Sequence, residues 1–169
     1  LGFVGEITHV NIEPLQLLLD RGYIPMVAPV AMHRRDGSEH SGGPLNINGD
    51  TVAGEIANAM GAERLIFLTD VAGIMDGSGR VIPRLDRRRA HLLSRSGVVR
   101  GGMIPKLDAC LRALEGTRAA DIIDGRQPGA LRQARRGPVG AAQFRPCSYL
   151  FQRSVLGRGR PLGPHRQLA

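Results

Sequence analysis

Lys106 is the single lysine of a 169-residue chain with 23 basic residues, all the others arginine. It closes the stretch GGMIPK (101–106), in which two glycines precede a helix start. Lysine is a compact point charge on a flexible stem, whereas arginine is a flat, five-donor fork. A helix N-terminus carries roughly half a positive charge, so a cation there is disfavoured unless an anion sits between them. Glycine-loop N–H groups, a helix N-terminus and a lysine together can cradle phosphate. No Walker A pattern and no GxGxxG is present. From this segment alone, an exposed lysine near a helix start is the simpler reading.

Two further stretches carry polar groups in a useful order. In NINGD (46–50), Asn46, Asn48 and Asp50 leave one face of an extended segment. Asp50 then stands directly before a helix, where its carboxylate can cap exposed N–H groups. A cap alone accounts for Asp50. Two amides and a carboxylate aligned together suit a polar ligand at the C-terminal ends of strands, where open α/β sheets bind ligands. In LTDVAGIMDG (68–77), Thr69, Asp70 and Gly73 lie where a nucleotide could rest at the end of a strand. An ordinary strand exit fits them equally well. Residues 76–79 read as a β-turn, only faintly like a calcium loop. His9, His33, His40, His91 and His165 lack ligand spacing, and Cys110 and Cys147 form no CxxC. Neither a protein-held metal nor a disulfide scaffold is expected.

The elements that must position these groups alternate. Residues 1–10 read as a strand or hairpin arm. NIEPLQLLLDRG (11–22) reads as a helix capped by Asn11, with Leu15, Leu18 and Leu19 on one face. YIPMVAPV (23–30) reads as a strand buried on both faces, and 33–44 as a polar loop or hairpin tip. Helices follow at 51–62, from near Asp86 to 97, and at 104–116; strands are predicted at 64–69 and 119–124. Strand–helix alternation of this kind predicts a parallel or mixed sheet with helices on both faces.

The formal charge of +8 looks like that of a nucleic-acid binder. Residues 1–131, however, hold 15 basic and 15 acidic residues and are neutral. The whole excess lies in 132–169, with eight arginines and no acid. Two readings of this tail stand: a basic arm for nucleic acid, or sequence outside the native domain, as an out-of-frame gene segment would give. The abrupt change of composition favours the second. No apolar run approaches the ~20 residues of a membrane span, no secretory signal is recognisable, and a reduced cytoplasmic setting is expected.

In order along the chain, LGFVGE (1–6), VNIEPLQLLLDRGYIPMVAPV (10–30), NINGDTVAGEIANAMGA (46–62), LIFLTDVAGI (65–74), GVVRGGMIPKLDACLRAL (97–114) and IIDGR (122–126) resemble the amino-acid kinase family, in its acetylglutamate kinase branch. The resemblance implies a three-layer αβα sandwich with a mainly parallel sheet, truncated at its N-terminus. It implies ATP, with Mg²⁺ bound alongside the nucleotide, and N-acetyl-L-glutamate as phosphoryl acceptor. A related acceptor such as acetylaminoadipate is the alternative within the class. By the same resemblance, Lys106 stabilises the transferring phosphoryl group and Asp50 positions catalytic lysines. Asn46 contacts the acetylated amino acid, and Asn48 belongs to the same motif. Thr69, Asp70, Val71, Gly73, Ile74 and Met75, with Val98, Val99 and Arg100, match stretches around the nucleotide. A homo-oligomer is expected for the full-length enzyme. The sequence also departs from the family: a leading glycine-rich loop with a second lysine does not precede Leu1, and Asp121 and Gly129 stand where histidines are usual. Residues 1–131 are thus expected to form a partial kinase domain, and the chain alone is expected to have negligible kinase activity.

Overall fold

The computed structural model describes residues 4–33, 43–136 and 142–145. Its centre is a four-stranded sheet in the order β3 (Arg64–Thr69), β5 (Ala119–Asp124), β6 (Ala142–Arg145) and β4 (Arg84–Asp86). β3 pairs with β5 in parallel from Arg64↔Ala119 to Thr69↔Asp124. β6 runs antiparallel to β5 and parallel to β4. The parallel or mixed sheet expected from the alternating pattern is therefore present, with two of its three pairings parallel.

Period-two alternation divides the two inner strands between two faces. Leu65, Phe67, Ala120 and Ile122 point into the main core, which is completed by α2 (Gly49–Ala59), α3 (Arg87–Arg95) and α4 (Met103–Ala113). Ile66 and Ile123 point to the other face and pack with Ala130 and Ala134 of α5 (Ala130–Arg136). Helices on both sides of one sheet make the three layers. On the α5 face, by the same alternation, Arg64 donates to the carboxylate of Asp121 at 2.6 Å, with the Asp121 side chain only 1% exposed.

The predicted helices of the core are found, with ends set by local chemistry. Gly61 (φ +59°) follows α2, and Asp86 caps α3 by accepting the N–H of Arg89 at 2.7 Å. Leu107, Leu111 and Leu114 are buried as their spacing requires, while Ile104 is exposed. The turn predicted at 76–79 is held by the Asp76 carboxylate, which accepts from both N–H and O–H of Ser78 and from the N–H of Arg80.

The N-terminal part departs from expectation. α1 (Glu13–Asp20) forms, but the expected cap is corrected: Ile12 holds the cap position without a side-chain bond, Asn11 accepts the N–H of Glu13 at 3.1 Å from one residue further out, and no residue of α1 is buried. The segment 23–30 is not a buried strand. Only Val30–Met32 (β1) is extended in a ladder, antiparallel to Pro44–Asn46 (β2), and Ile24 and Met26 are 90% and 97% exposed. Pro25 and Pro29 withhold two ladder donors, and every residue of 23–30 except Pro25 is exposed. Residues 4–10 are likewise not a strand but a single parallel bridge, Val4 to Asn46. The polar tip between β1 and β2, including His40, lies outside the described residues, as do Leu1 and Cys147. Regular structure does not stop at the compositional break: α5 reaches Arg136, and β6 stands inside the sheet.

Candidate active site

Lys106 and Asp50 come together. Lys106 is the fourth residue of α4, Asp50 the second of α2, and Nζ donates to Oδ2 at 3.0 Å. The side chains are 26% and 18% exposed, so the pair is half-buried and still reachable. The carboxylate answers the problem of a cation in a helix's first turn, because it supplies the neighbouring anion.

Asp50 is free to do so because it is not the helix cap. The expectation that it caps α2 is corrected: α2 begins at Gly49, and Asn48 is the cap, its Oδ1 accepting the N–H groups of Asp50 (2.9 Å) and Thr51 (3.1 Å). The expected single extended face of Asn46, Asn48 and Asp50 is corrected with it. Asn46 closes β2, Asn48 turns the chain, and Asp50 is already helical. Asn46 is exposed and makes no side-chain hydrogen bond among the described residues.

α2 and α4 lie side by side and point the same way. Besides Asp50 with Lys106, Glu55 accepts from Arg112 at 2.6 Å, one turn or more further along both helices. Short turns at 60–63 and 114–118 lead each helix back into β3 and β5. Both helix N-termini therefore sit at the C-terminal ends of the parallel strands, where their partial positive charges add. The approach to α4 is open. Gly101 has φ +59°, a left-handed conformation natural to glycine. A Cβ on Gly101 or Gly102 would meet no atom within 4 Å, and neither residue's N–H donates a hydrogen bond among the described residues. Arg100 turns its Nε back to the Gly97 carbonyl at 3.1 Å; Val98 is exposed and Val99 buried.

The end of β3 forms the neighbouring rim. The single hydroxyl proton of Thr69 is shared between the carbonyls of Val71 (2.8 Å) and Ile123 (3.2 Å), and its oxygen accepts the N–H of Val71 (3.2 Å), which fixes the strand exit. Asp70 is exposed, and Gly73 has φ +142°. Ile74 belongs to the core at 1% exposure, so it anchors the turn and presents no side chain to a ligand; Met75 is 44% exposed. Sequence reasoning passed over Asp124 and Arg126, which stand beside this rim. The Gly125 N–H donates to the Thr69 carbonyl at 2.8 Å, and the Arg126 guanidinium donates twice to the Asp124 carboxylate at 2.9 Å. Those bonds from Arg126 hold the Asp124 carboxyl down to about 2. Their signal was the position of IIDGR at a strand's carboxyl end. Cys110, one turn after Lys106, is fully buried; burial, aided by the charges of Asp121 and Asp50, pushes its thiol far up and leaves it no nucleophile.

Among the described residues no three His, Cys, Asp or Glu side chains converge as a metal site, and no helix is long and apolar enough to cross a membrane. What converges is a set of groups suited to an anion: glycine N–H groups that donate no hydrogen bond among the described residues, two helix N-termini and one ammonium. A three-layer α/β fold carrying such a set at its strand ends matches the model of the amino acid kinase family over residues 1–124, and the chain belongs to that family. Its relatives are more particular. Acetylglutamate kinase of Nostoc sp. strain PCC 7120 is 54% identical over 135 residues, 78% of this chain and 43% of that protein. Acetylglutamate kinase of Acidiphilium cryptum is 47% identical over 131 residues, 77% of this chain and 42% of that protein. The chain thus spans less than half the length of these relatives. The fold is also that of N-acetylglutamate synthase from Neisseria gonorrhoeae in complex with coenzyme A and L-arginine (TM-score 0.72, 24% identity, 85% of this chain and 32% of that one). It is shared with carbamate kinase from Giardia lamblia bound to AMP-PNP (TM-score 0.57, 19% identity, 69% of this chain and 37% of that one).

Proposed function

We propose that this chain is the nucleotide-side part of an ATP-dependent acetylglutamate kinase, which transfers the γ-phosphoryl group to the side-chain carboxylate of N-acetyl-L-glutamate. The observation that carries the reading is the Asp50–Lys106 ion pair set between two parallel helix N-termini, beside glycine N–H groups that donate no hydrogen bond among the described residues. Identity near 50% to acetylglutamate kinases supports the choice of acceptor.

Phosphoryl transfer asks little covalent work of a protein. It needs positioning and cancellation of charge on the phosphate oxygens. Lys106 supplies a compact ammonium for those oxygens, and Asp50 holds it in place without adding a donor of its own. The Gly101 and Gly102 N–H groups and the two helix ends add fixed positive potential. The acceptor carboxylate is ionised near neutral pH and needs no general base, so the absence of a histidine from the described site costs the reaction nothing. Mg²⁺ keeps most of its ligands from phosphates and water. In this reading it is held chiefly by the nucleotide, where it supplies charge neutralisation. Asn46 and Asn48 lie on the acceptor side, and the 69–75 and 98–100 stretches on the nucleotide side.

The test is Lys106→Arg in a full-length polypeptide that contains this sequence, assayed for acetylglutamate phosphate with acetylaminoadipate as the competing acceptor. Turnover is expected to drop about 100-fold or more, with nucleotide affinity changed far less, since a planar fork cannot take the ammonium's place. Unchanged turnover removes Lys106 from the mechanism; a preference for acetylaminoadipate reassigns the substrate.

A further inference from the structure

The contacts between α2 and α4 keep step along both helices. Asp50 meets Lys106, Gly54 meets Ala109, Glu55 meets Arg112, and the end of α2 at Asn58 meets Gly116. Gly54 is one turn from Asp50 on the same face of α2, and Ala109 is one turn from Lys106 on α4. At that level the backbones almost touch. A Cβ placed on Gly54 would lie 2.8 Å from the carbonyl oxygen of Ala109 and 3.1 Å from its Cα and Cβ. Two of these three atoms are main chain and cannot rotate away, so a methyl group at 54 has to separate the helices. Backbone conformation does not call for glycine at this position, because Gly54 lies inside a regular helix and has no positive φ. Glycine in a helix interior costs about 1 kcal/mol relative to alanine, and close approach is what it brings in exchange.

We propose that Gly54 is a positioning residue for the Asp50–Lys106 pair. The contact between bare Gly54 and Ala109 sets the spacing of α2 and α4 at which Lys106 Nζ reaches Asp50 Oδ2. The inference rests on the reading of that pair as functional, yet the geometry can be tested without turnover. Gly116 provides the comparison. A Cβ there would lie 2.4 Å from the carbonyl oxygen of Asn58, an equally closed contact but two turns of α2 away from Asp50.

The single lysine makes the measurement direct. Reductive methylation with ¹³C-formaldehyde labels Lys106 and the α-amine only, and dimethyl-lysine keeps its charge and one N–H. The quantity read is the displacement of the Lys106 methyl resonance caused by Asp50→Asn, in otherwise unaltered protein and in the Gly54→Ala and Gly116→Ala backgrounds, with circular dichroism to confirm folding. The displacement is expected to persist with Gly116→Ala and to collapse toward zero with Gly54→Ala. A full displacement in folded Gly54→Ala, or an equal collapse in both variants, overturns the proposal. If Gly54→Ala does not fold, Ala109→Ser loads the same contact from the other helix, and an undiminished displacement there overturns it too. Failure of the full-length enzyme to phosphorylate acetylglutamate would defeat the functional reading while leaving this displacement as it is.

Discussion

The Oδ1 of Asn48 accepts the N–H of Asp50 at 2.9 Å, so the residue that starts α2 and the residue that faces Lys106 are two apart and do different work. Asn48 anchors the turn that carries Asp50, and Asp50 spends its carboxylate on the lysine.

Asn48→Ala is expected to destabilise the fold by about 1 kcal/mol through loss of the cap. Asn48→Ser, which caps about as well, is expected to recover most of that loss. Urea unfolding of the two variants checks it. If alanine and serine are equally harmful, the amide acts through something other than the cap. Because Asp50 sits in that first turn, the proposed function adds that turnover of a longer polypeptide containing this sequence should follow the same ranking.

The two carboxylate–guanidinium pairs of β5 should behave unequally. Arg64 meets an Asp121 carboxylate that is 1% exposed, under α5, and its removal as Arg64→Leu leaves that buried charge with one charged partner fewer. The expected loss is about 3 kcal/mol, at the low end for a buried pair because Arg64 itself is 22% exposed. Arg126, 66% exposed, pairs with Asp124 at the surface, where water screens the interaction, and Arg126→Ala is expected to leave stability almost unmoved. Denaturant midpoints that rank the two variants the other way would remove Arg64–Asp121 as a support of the sheet.

Acid should weaken the fold through two turns. The Arg126 bonds hold Asp124 down to about 2, and hydrogen bonds from the Ser78 side chain and from the Arg80 and Ser78 N–H groups lower Asp76 as well. An unfolded aspartate titrates near 4. Between about pH 4 and pH 2 the unfolded chain therefore binds more protons than the folded one, so stability falls as pH falls and is fully present above that window. Urea midpoints measured from pH 5 to pH 2 should decline, and Asp124→Asn and Asp76→Asn should each flatten the decline. Both groups are only partly buried and solvent still screens them, so each effect is small. A decline that keeps its slope in the double variant would place the acid sensitivity elsewhere.

The sequence was most legible where one periodicity ran long enough. α2, α4, β3 and β5 could be read from apolar spacing, caps and closing glycines, and they form the part of the fold that holds the site. β4 and β6, of three and four residues, have no pattern of their own and exist through pairing with each other and with β5. The run at 23–30 was misread because an apolar strand pattern presupposes neighbours, and its prolines argued against a ladder. Asn48 and Asp50 are both good caps, so a shift of one or two residues in the helix start exchanged their roles. The meeting of Asp50 with Lys106 joins residues 56 apart in sequence and follows from two helices packing in parallel, which no local spacing encodes. Gly54 carries no local signal of its own, and only its contact with Ala109 shows why a side chain is missing there.

The solitary lysine also fixes how the chain can be cut. A lysine-specific protease finds one bond in the whole sequence, Lys106–Leu107. That bond lies in the first turn of α4, with the Leu107 side chain fully buried and the lysine held by Asp50. Cleavage there requires the helix end to open. The rate at which this protein splits into two pieces is therefore a direct reading of how often the start of α4 comes undone.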